Sequence, residues 1–352
     1  MAIVIYNLLM AVVDLAAWLL IRARPSVGRW LAVGLGAASC AVVAAVPLAA
    51  DHFHFIQMLC YGVFAHGALM SLLSAWWLRR TARWLAAVCG LAAVGLWLTA
   101  FDAFLIEPTW LQIGRYEIVS EKLSRPLKVV VVADLQTDCL GDYERETLRL
   151  ALAEKPDLLL FAGDYVQVWD AERCAPLQSE LNALLRELGA TAPRGVFAVC
   201  GNVDGWRWEE IFAGLGAQAV TATQTYELDD LLLTCLSLED SASTGLTISN
   251  RQPQKFHIVL GHKPNFALGQ IEGDLLLAGH THGGQVRLPL VGPLITHARV
   301  PRAWAAGLTE LGGGRWLLVS RGIGMEREFA PRMRFCCRPE LVVIELRPQA
   351  KP

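Results

Sequence analysis

The stretch Leu275–Gln285, with the sequence LLLAGHTHGGQ, decides the fold of the larger part of this chain. An apolar run is followed at once by a glycine and by two histidines, His280 and His282, that alternate along the chain. Such a run, bounded by glycines, is typical of a buried β-strand, and the glycines allow other backbone to approach closely. The sequence therefore predicts a strand whose carboxyl end presents two imidazoles to a cleft.

Four other short apolar runs also end in polar residues that can bind a metal. These residues are Asp134, Asp164, Asn202 and His262, and a glycine (Gly163, Gly201 or Gly261) directly precedes each of the last three. Carboxylate, amide and imidazole groups together form a mixed oxygen and nitrogen ligand set, which suits two divalent ions. The structural alternative is a helix N-cap at either aspartate, or a turn residue at the asparagine.

Apolar runs and helical patterns alternate through the first half of this region. Strands are predicted at 127–133, 157–162 and 195–200, with helices at 144–153 and 178–188. This order indicates parallel βαβ units. Later runs look like strands joined by loops, at 231–238, 256–260, 275–278, 316–320 and 341–346. The pattern favours an α/β fold with two sheets facing each other and helices outside.

The first third of the chain has a different composition from the rest. The protein has 352 residues, of which 54% are hydrophobic. Charged residues are scarce in the segment up to Trp110, which holds only six Arg, no Lys and four acidic residues. Four apolar stretches lie there, and each reaches the ~20 residues that span a bilayer: 3–21, 30–50, 55–77 and 82–106. The sequence predicts a transmembrane module at 1–106, a linker at 107–115 and a globular domain at 116–352.

Arginines flank the predicted spans unevenly. Two connections carry them, namely Arg22, Arg24 and Arg29 in one and Arg79, Arg80 and Arg83 in the other. The positive-inside rule places both connections in the cytoplasm, so the globular domain would lie on the extracytoplasmic face of the inner (plasma) membrane. No basic stripe points to nucleic acid, and the nine Cys show no disulfide or zinc spacing.

The ordered polar blocks resemble the calcineurin-like metallophosphoesterase superfamily, whose pattern is DxH, GD, GNHD, GH and GHxH. The longer run GHTHGGQVRLP at 279–289 and the block CRPE at 337–340 look like its membrane-associated bacterial branch. The resemblance covers about 116–346. It implies a four-layer sandwich, in which two mixed sheets are flanked by helices, and a hydrolase that cleaves phosphoesters.

The resemblance also implies a dinuclear metal centre that serves catalysis. The first ion would be held by Asp134, Gln136 and His282, the second by Asn202, His262 and His280, and Asp164 would bridge the two. Asp134, Asp164, Asn202 and His280 are the residues expected to act directly in catalysis. The ions would be Mn²⁺, Mg²⁺, Fe²⁺ or Zn²⁺, and paired divalent ions of this kind activate water for attack on phosphorus.

Two positions depart from the family pattern. Gln136 stands where the family has a histidine, and its amide oxygen is a harder and weaker ligand; Asp138 is an alternative ligand nearby. Val203 replaces a histidine that donates a proton to the leaving group. General acid catalysis typically contributes about 10²–10⁴-fold, so its loss favours substrates with good leaving groups.

We therefore expect a membrane-anchored phosphohydrolase that cleaves a phosphoester or phosphoanhydride of a lipid-linked or membrane-proximal substrate. One alternative is a catalytically impaired protein that binds phosphate or another protein. Another is a UDP-2,3-diacylglucosamine diphosphatase, although that nucleotide sugar is cytoplasmic and conflicts with the predicted orientation. Asp14, His66 and Asp102 lie within or near the predicted spans, where ionisable residues are candidates for a specific function.

Overall fold

A computed structural model describes residues 1–23, 26–168 and 170–349, so Arg24 of the first arginine cluster lies outside the described residues. The chain divides into two compact units. The first comprises Met1–Leu105 with Phe329–Arg332, and the second comprises Ile106–Glu328 with Met333–Pro352. The predicted boundaries at 106 and 115 remain predictions, and each unit is described by itself below.

The first unit is helical. Its α-helices are α1 Ala2–Ala23, α2 Val27–Ala45, α3 His52–Cys60, α4 Ala68–Leu78 and α5 Arg83–Phe101. A π-helical segment, Tyr61–Gly67, joins α3 to α4 without a break, and another, Asp102–Ile106, extends α5. Among the described residues, four helices are long and apolar enough to cross a membrane, which confirms the predicted number. The outer faces of these helices expose many large apolar side chains.

The second unit contains two six-stranded mixed sheets. The first sheet has the order β1-β16-β2-β3-β4-β5, in which β2 to β5 are parallel and β16 runs antiparallel to β2. Its strands are β1 Gln112–Ser120, β2 Leu127–Val132, β3 Leu158–Phe161, β4 Val196–Val199, β5 Gln218–Val220 and β16 Glu340–Pro348.

The second sheet has the order β14-β15-β11-β9-β7-β6, with a parallel centre and an antiparallel strand at each edge. Its strands are β6 Gln224–Leu228, β7 Leu231–Cys235, β9 Phe256–Leu260, β11 Leu275–Ala278, β14 Gly307–Gly312 and β15 Arg315–Val319. Two small ribbons pair β8 Thr247–Ile248 with β10 Gln270–Ile271 and β12 Arg287–Leu288 with β13 Gly292–Pro293.

Alternate residues of both sheets build one apolar core between them, including Val129, Leu160, Ile258 and Leu277. The other face of the first sheet packs against α6 Asp142–Ala153 and α7 Ala171–Glu187. Short elements cover the outer face of the second sheet, namely α8 Leu238–Ala242 and a 3₁₀ turn, Pro264–Leu268. The predicted four-layer α/β sandwich is confirmed, and its fourth layer is thin.

Strand β1 begins at Gln112, inside the segment 107–115 that the sequence analysis treats as a linker. It pairs in parallel with β16 over nine residues. The strand alternates exposed and buried positions at a sheet edge, and with Gly114 and Arg115 in its first half the sequence has no apolar run to mark it. The tertiary pairing therefore defines a strand that local composition does not.

Truncating a side chain between the sheets should destabilise the second unit. Leu277 is fully buried on β11, so Leu277→Ala should lower the free energy of unfolding by about 2–5 kcal/mol. Thermal unfolding of the detergent-solubilised chain measures the change. Leu288→Ala, at a 39% exposed position, is the control; equal effects of the two substitutions would contradict the described core.

A candidate metal centre at the strand ends

The candidate ligands follow the carboxyl ends of five strands from both sheets. Asp134 and Gln136 follow β2, Asp164 follows β3, Asn202 follows β4, His262 follows β9, and His280 and His282 follow β11. Carboxyl ends of parallel strands meet at one edge of a sheet, where ligands of α/β proteins bind. Asn202 is exposed and His280 is half-buried, whereas the other five are buried. The open side of the cleft therefore lies at these two residues.

The backbone at these strand ends is unusual. Asp134, Gln136, Asp164, His280 and His282 all have positive φ, between 39° and 70°. Few residues other than glycine adopt this conformation, and strained backbone of this kind clusters at functional sites. The left-handed turn lets each strand end abruptly and points the following side chain into the cleft. Five of the seven predicted ligands share this feature, which sequence periodicity does not reveal.

Glycines make the close packing around the two aspartates possible. A Cβ on Gly279 or on Gly322 would lie 2.8 Å from a carboxylate oxygen of Asp134. A Cβ on Gly201 would overlap the backbone and the carboxylate of Asp164. These glycines therefore allow strand ends from both sheets to converge on the same small volume.

Asp164, His262 and His280 form a group that can hold a metal ion, since one ligand atom of each lies within 4.8 Å of the others. His262 Nε2 is 3.3 Å from Asp164 Oδ2 and 3.0 Å from Asn202 Oδ1. His262 Nδ1 is 2.8 Å from the carbonyl of Ala162. A hydrogen bond from Nδ1–H to that carbonyl orients the ring and directs Nε2 at the cleft, as outer partners of metal ligands do.

The structure also connects Asp134 and His280 to this group. The backbone N–H of His280 donates to both carboxylate oxygens of Asp134, at 2.9 and 3.0 Å. The Asp134 carboxylate lies 3.8 Å from His262 Nδ1. The side chain of His280 places Nε2 3.1 Å from the carbonyl of His297, which leaves Nδ1 available as a ligand.

Two buried ligand atoms lack a hydrogen-bond partner among the described residues, Gln136 Oε1 and His282 Nε2. Both belong to the set that the resemblance assigns to the first ion. Burying a polar atom without a partner costs about 1–3 kcal/mol, and a coordinated cation removes that cost. The Gln136 amide nitrogen donates to Gln167 and Glu326, at 2.9 and 3.0 Å, which directs the oxygen away from these residues. The donor set thus fits a metal at this position.

Charge in the centre is concentrated and buried. Burial raises the pKa of Asp134 to about 7, against the attraction of His262. Burial also opposes ionisation of Asp164, but attraction and a hydrogen bond from His262 lower its pKa to about 2. Burial lowers the pKa of His262, yet the two carboxylates outweigh it and raise that pKa to about 9. A bound cation would replace this proton, since a ligating imidazole must be neutral.

The other two imidazoles are kept neutral. Burial and the nearby His262 lower the pKa of His280 to about 3. Burial and the guanidinium of Arg334 hold the pKa of His282 well below its usual range. Neutral imidazoles are the form that binds metal, so both residues are ready to bind without losing a proton.

Arg334 is an important residue that the sequence analysis missed. Its side chain is fully buried and donates to the carbonyls of Gly324, Cys337, Arg321 and Gly322, with the first two at 3.1 and 2.9 Å. The loop that it holds donates in turn to the backbone of Asp134, through Gly324 N at 2.7 Å. A single arginine in an irregular segment carries no pattern that would reveal this role.

Asp204 supports the centre through the backbone around Asp164. Its carboxylate accepts hydrogen bonds from the backbone N–H groups of Asp164, Tyr165 and Gly201, at 2.9, 2.6 and 2.6 Å. Both of its oxygens are therefore engaged with the backbone that positions Asp164. Val203 contributes through its backbone, since its N–H donates to Asp164 Oδ1 at 2.9 Å.

The fold and this cluster define the class of protein. The model for calcineurin-like phosphoesterases matches residues 127–284, and this domain of the chain belongs to the metallophosphoesterase superfamily. It is a metal-dependent hydrolase that acts on phosphoester bonds. The match ends at Gly284 and does not include the helical unit.

Among individual proteins, the chain is similar to the uncharacterized metallophosphoesterase YkuE of Bacillus subtilis, with 29% identity over 69% of this chain and 87% of that protein. It is also similar to the phosphodiesterase YaeI of Escherichia coli, with 29% identity over 68% of this chain and 90% of that protein. A solved dimetal phosphatase from Danio rerio aligns with 57% of this chain and 88% of its own, at 12% identity and a TM-score of 0.35.

Removing the Arg334 side chain should weaken the centre and the fold together. Arg334→Met leaves several buried carbonyls without a donor, at about 1–3 kcal/mol each, so we expect at least about 3 kcal/mol of destabilisation. The metal content of the purified protein should also fall. Arg347→Met, at an exposed position on β16, is the control. Unchanged stability and metal content in Arg334→Met would contradict the role described here.

Proposed function

We propose that this protein is a membrane-anchored phosphohydrolase with a dinuclear metal centre and a lipid-linked or membrane-proximal substrate. The observation that carries the metal centre is the pair of buried ligand atoms, on Gln136 and His282, that have no hydrogen-bond partner among the described residues. Gln136 is two residues from Asp134 in the chain, and His282 is two residues from His280. The backbone N–H of His280 donates to both carboxylate oxygens of Asp134.

Two groups of residues would hold the ions. Asp134, Gln136 and His282 would hold one, Asn202, His262 and His280 the other, and Asp164 would be shared. Divalent ions so held polarise a phosphoryl oxygen and make bound water more acidic. The protein residues supply the geometry: Asp204 fixes the backbone at Asp164, and the carbonyl of Ala162 orients His262. Asn202 and His280, on the open side, would meet the substrate.

The residues near Asn202 restrict the leaving group. Val203 has no proton to donate from its side chain, and both oxygens of Asp204 accept hydrogen bonds from the backbone. Neither side chain is therefore available as a general acid. Simple alkoxides leave poorly without protonation, so the favoured substrates are aryl esters, phosphoanhydrides or other phosphoesters with an acidic leaving group.

An apolar hairpin next to the histidine loop supports a lipid-linked substrate. The β12–β13 ribbon exposes Leu290 fully and Val291 to 61%, and its neighbours Leu294 and Ile295 are also exposed. Large exposed apolar patches mark contact with membranes or partners. The ribbon is tied to the histidine loop, since the Arg287 side chain donates to the carbonyl of Gly283 at 3.1 Å.

The four apolar helices support membrane insertion, and the arginines support an orientation. Within the described residues, Arg22 and Arg29 flank the first connection, while Arg79, Arg80 and Arg83 flank the third. The positive-inside rule would place these in the cytoplasm and the metal centre on the extracytoplasmic side. This orientation favours substrates of the outer leaflet over the cytoplasmic UDP-2,3-diacylglucosamine.

Replacing the shared ligand should abolish hydrolysis. Asp164→Asn removes a charge that both ions would share, so we expect hydrolysis of bis(p-nitrophenyl) phosphate with Mn²⁺ to fall by about 10³-fold or more, with a lower metal content. Chelation should abolish wild-type activity, and Mn²⁺ should restore it. Asp170→Asn, at the N-cap of α7, is the control. Full activity of Asp164→Asn would overturn the proposed ligand set.

Making the hairpin polar should separate membrane-borne from soluble substrates. Burying a Leu or Val side chain is worth about 1.5–3 kcal/mol, so Leu290→Ser/Val291→Ser should lower kcat/KM at least about tenfold on a phosphatidyl p-nitrophenyl diester in vesicles. Activity on soluble bis(p-nitrophenyl) phosphate should not change. Val119→Ser alters an exposed apolar residue on β1 as a control. If the double substitution changed kcat/KM by the same factor on both substrates, that result would contradict a membrane role for the hairpin.

A further inference from the structure

The helical unit contains an elongated cavity of about 490 Å³. It extends along α1 from Met10 to Ile21, which corresponds to about 16 Å at 1.5 Å per residue. Its walls come from all five α-helices of the unit and from the π-helical segment Tyr61–Gly67, and they are mostly apolar. The volume lies within the range of small-molecule sites, about 300–1,000 Å³.

Asp14 and His66 interrupt the apolar wall, and both ring nitrogens of His66 have polar partners. His66 Nδ1 is 2.7 Å from Asp14 Oδ2, and His66 Nε2 is 3.0 Å from Asn7 Oδ1. The Asn7 amide nitrogen donates to the carbonyl of Ile3 at 2.8 Å, so its oxygen faces the ring and the imidazole Nε2 must carry a proton.

Asp14 lies near the centre of its helix. It is about 18 Å from Ala2 and about 14 Å from Ala23 along the axis, close to the middle of a hydrocarbon core about 30 Å thick. Ionisable groups at this depth are costly and are usually functional. His66 lies in the π-helical segment Tyr61–Gly67, and π-bulges are frequent at functional sites.

The cavity opens sideways between the helices. Gly34 and Ala38 of α2 line it and are also exposed. A Cβ on Gly34 would meet nothing within 4 Å, so small residues on α2 leave the space unfilled. If the unit lies in a bilayer, the surroundings that reach this opening are lipid chains.

We propose that this cavity binds a neutral, single-chain lipid alcohol, whose chain fills the groove and whose hydroxyl donates to Asp14. Among the described residues, His66 is the only donor to the Asp14 carboxylate, which leaves an acceptor at the wall of the cavity. The described residues that line the cavity include no Lys or Arg, so a phosphate at this depth would be uncompensated and costly, whereas a hydroxyl needs no counter-ion.

This site rests on the proposed membrane insertion but not on the metal centre. The test uses the full chain in phosphatidylcholine vesicles and a hexadecanol that carries a diazirine at mid-chain. Irradiation should label α1 and α4 peptides saturably, as mapped by mass spectrometry. Gly34→Leu should reduce labelling about tenfold or more, and Gly36→Leu should leave it unchanged. Both glycines are exposed on α2 with open space at Cβ, but only Gly34 lines the cavity.

Competition tests the polar contact. Unlabelled hexadecanol should displace the probe at least about tenfold better than hexadecyl methyl ether, which has no proton to donate, and Asp14→Leu should remove this difference. Equal labelling in the two glycine variants, labelling that does not saturate, or equal competition by alcohol and ether would overturn the proposal. Carbonate extraction of the vesicles and soluble phosphodiesterase activity report separately on membrane insertion and on the metal centre.

Discussion

Steric room around two buried aspartates is the constraint on which the centre depends. Asp134 and Asp164 end neighbouring strands of the first sheet, and strand ends of the second sheet must come within contact distance of them. Only glycine at 201, 279 and 322 leaves that space. The positive φ of both aspartates is part of the same solution, because an ordinary extended residue would carry the chain past the cleft. Backbone shape therefore positions the candidate ligands without a contribution from any ion.

Electrostatics in this volume are balanced from two sides. His262 lies among the carboxylates, where its proton offsets their charge, while burial and the nearby Arg334 together keep the imidazole of His282 neutral. The two positively charged side chains, His262 and Arg334, have different roles. The charge on His262 would give way to a bound metal, whereas the guanidinium of Arg334 is permanent and also holds the carbonyls of residues 321, 322 and 324.

Much of this arrangement could be predicted from the sequence, since the apolar runs that mark β2, β3, β4, β9 and β11 each end in a polar block. Composition alone likewise separates the four apolar helices. The misses share a physical cause. Strand β1 acquires its role from pairing with the distant β16, and Arg334 acquires its role from the carbonyls of an irregular loop. Gln136 is a predicted ligand, but the orientation of its amide depends on Gln167 and Glu326. Local patterns carry no information about such contacts.

The position of β16 has a consequence for biosynthesis. This last strand lies between β1 and β2, the first two strands of the sandwich. Strand β1 has no other neighbour in the sheet, and β2 can pair only with β3, until β16 has been synthesised. Such non-local pairing slows folding and leaves strand edges exposed in the meantime. A nascent chain of this protein would therefore emerge with an incomplete sheet, and protection by chaperones would matter most during that interval.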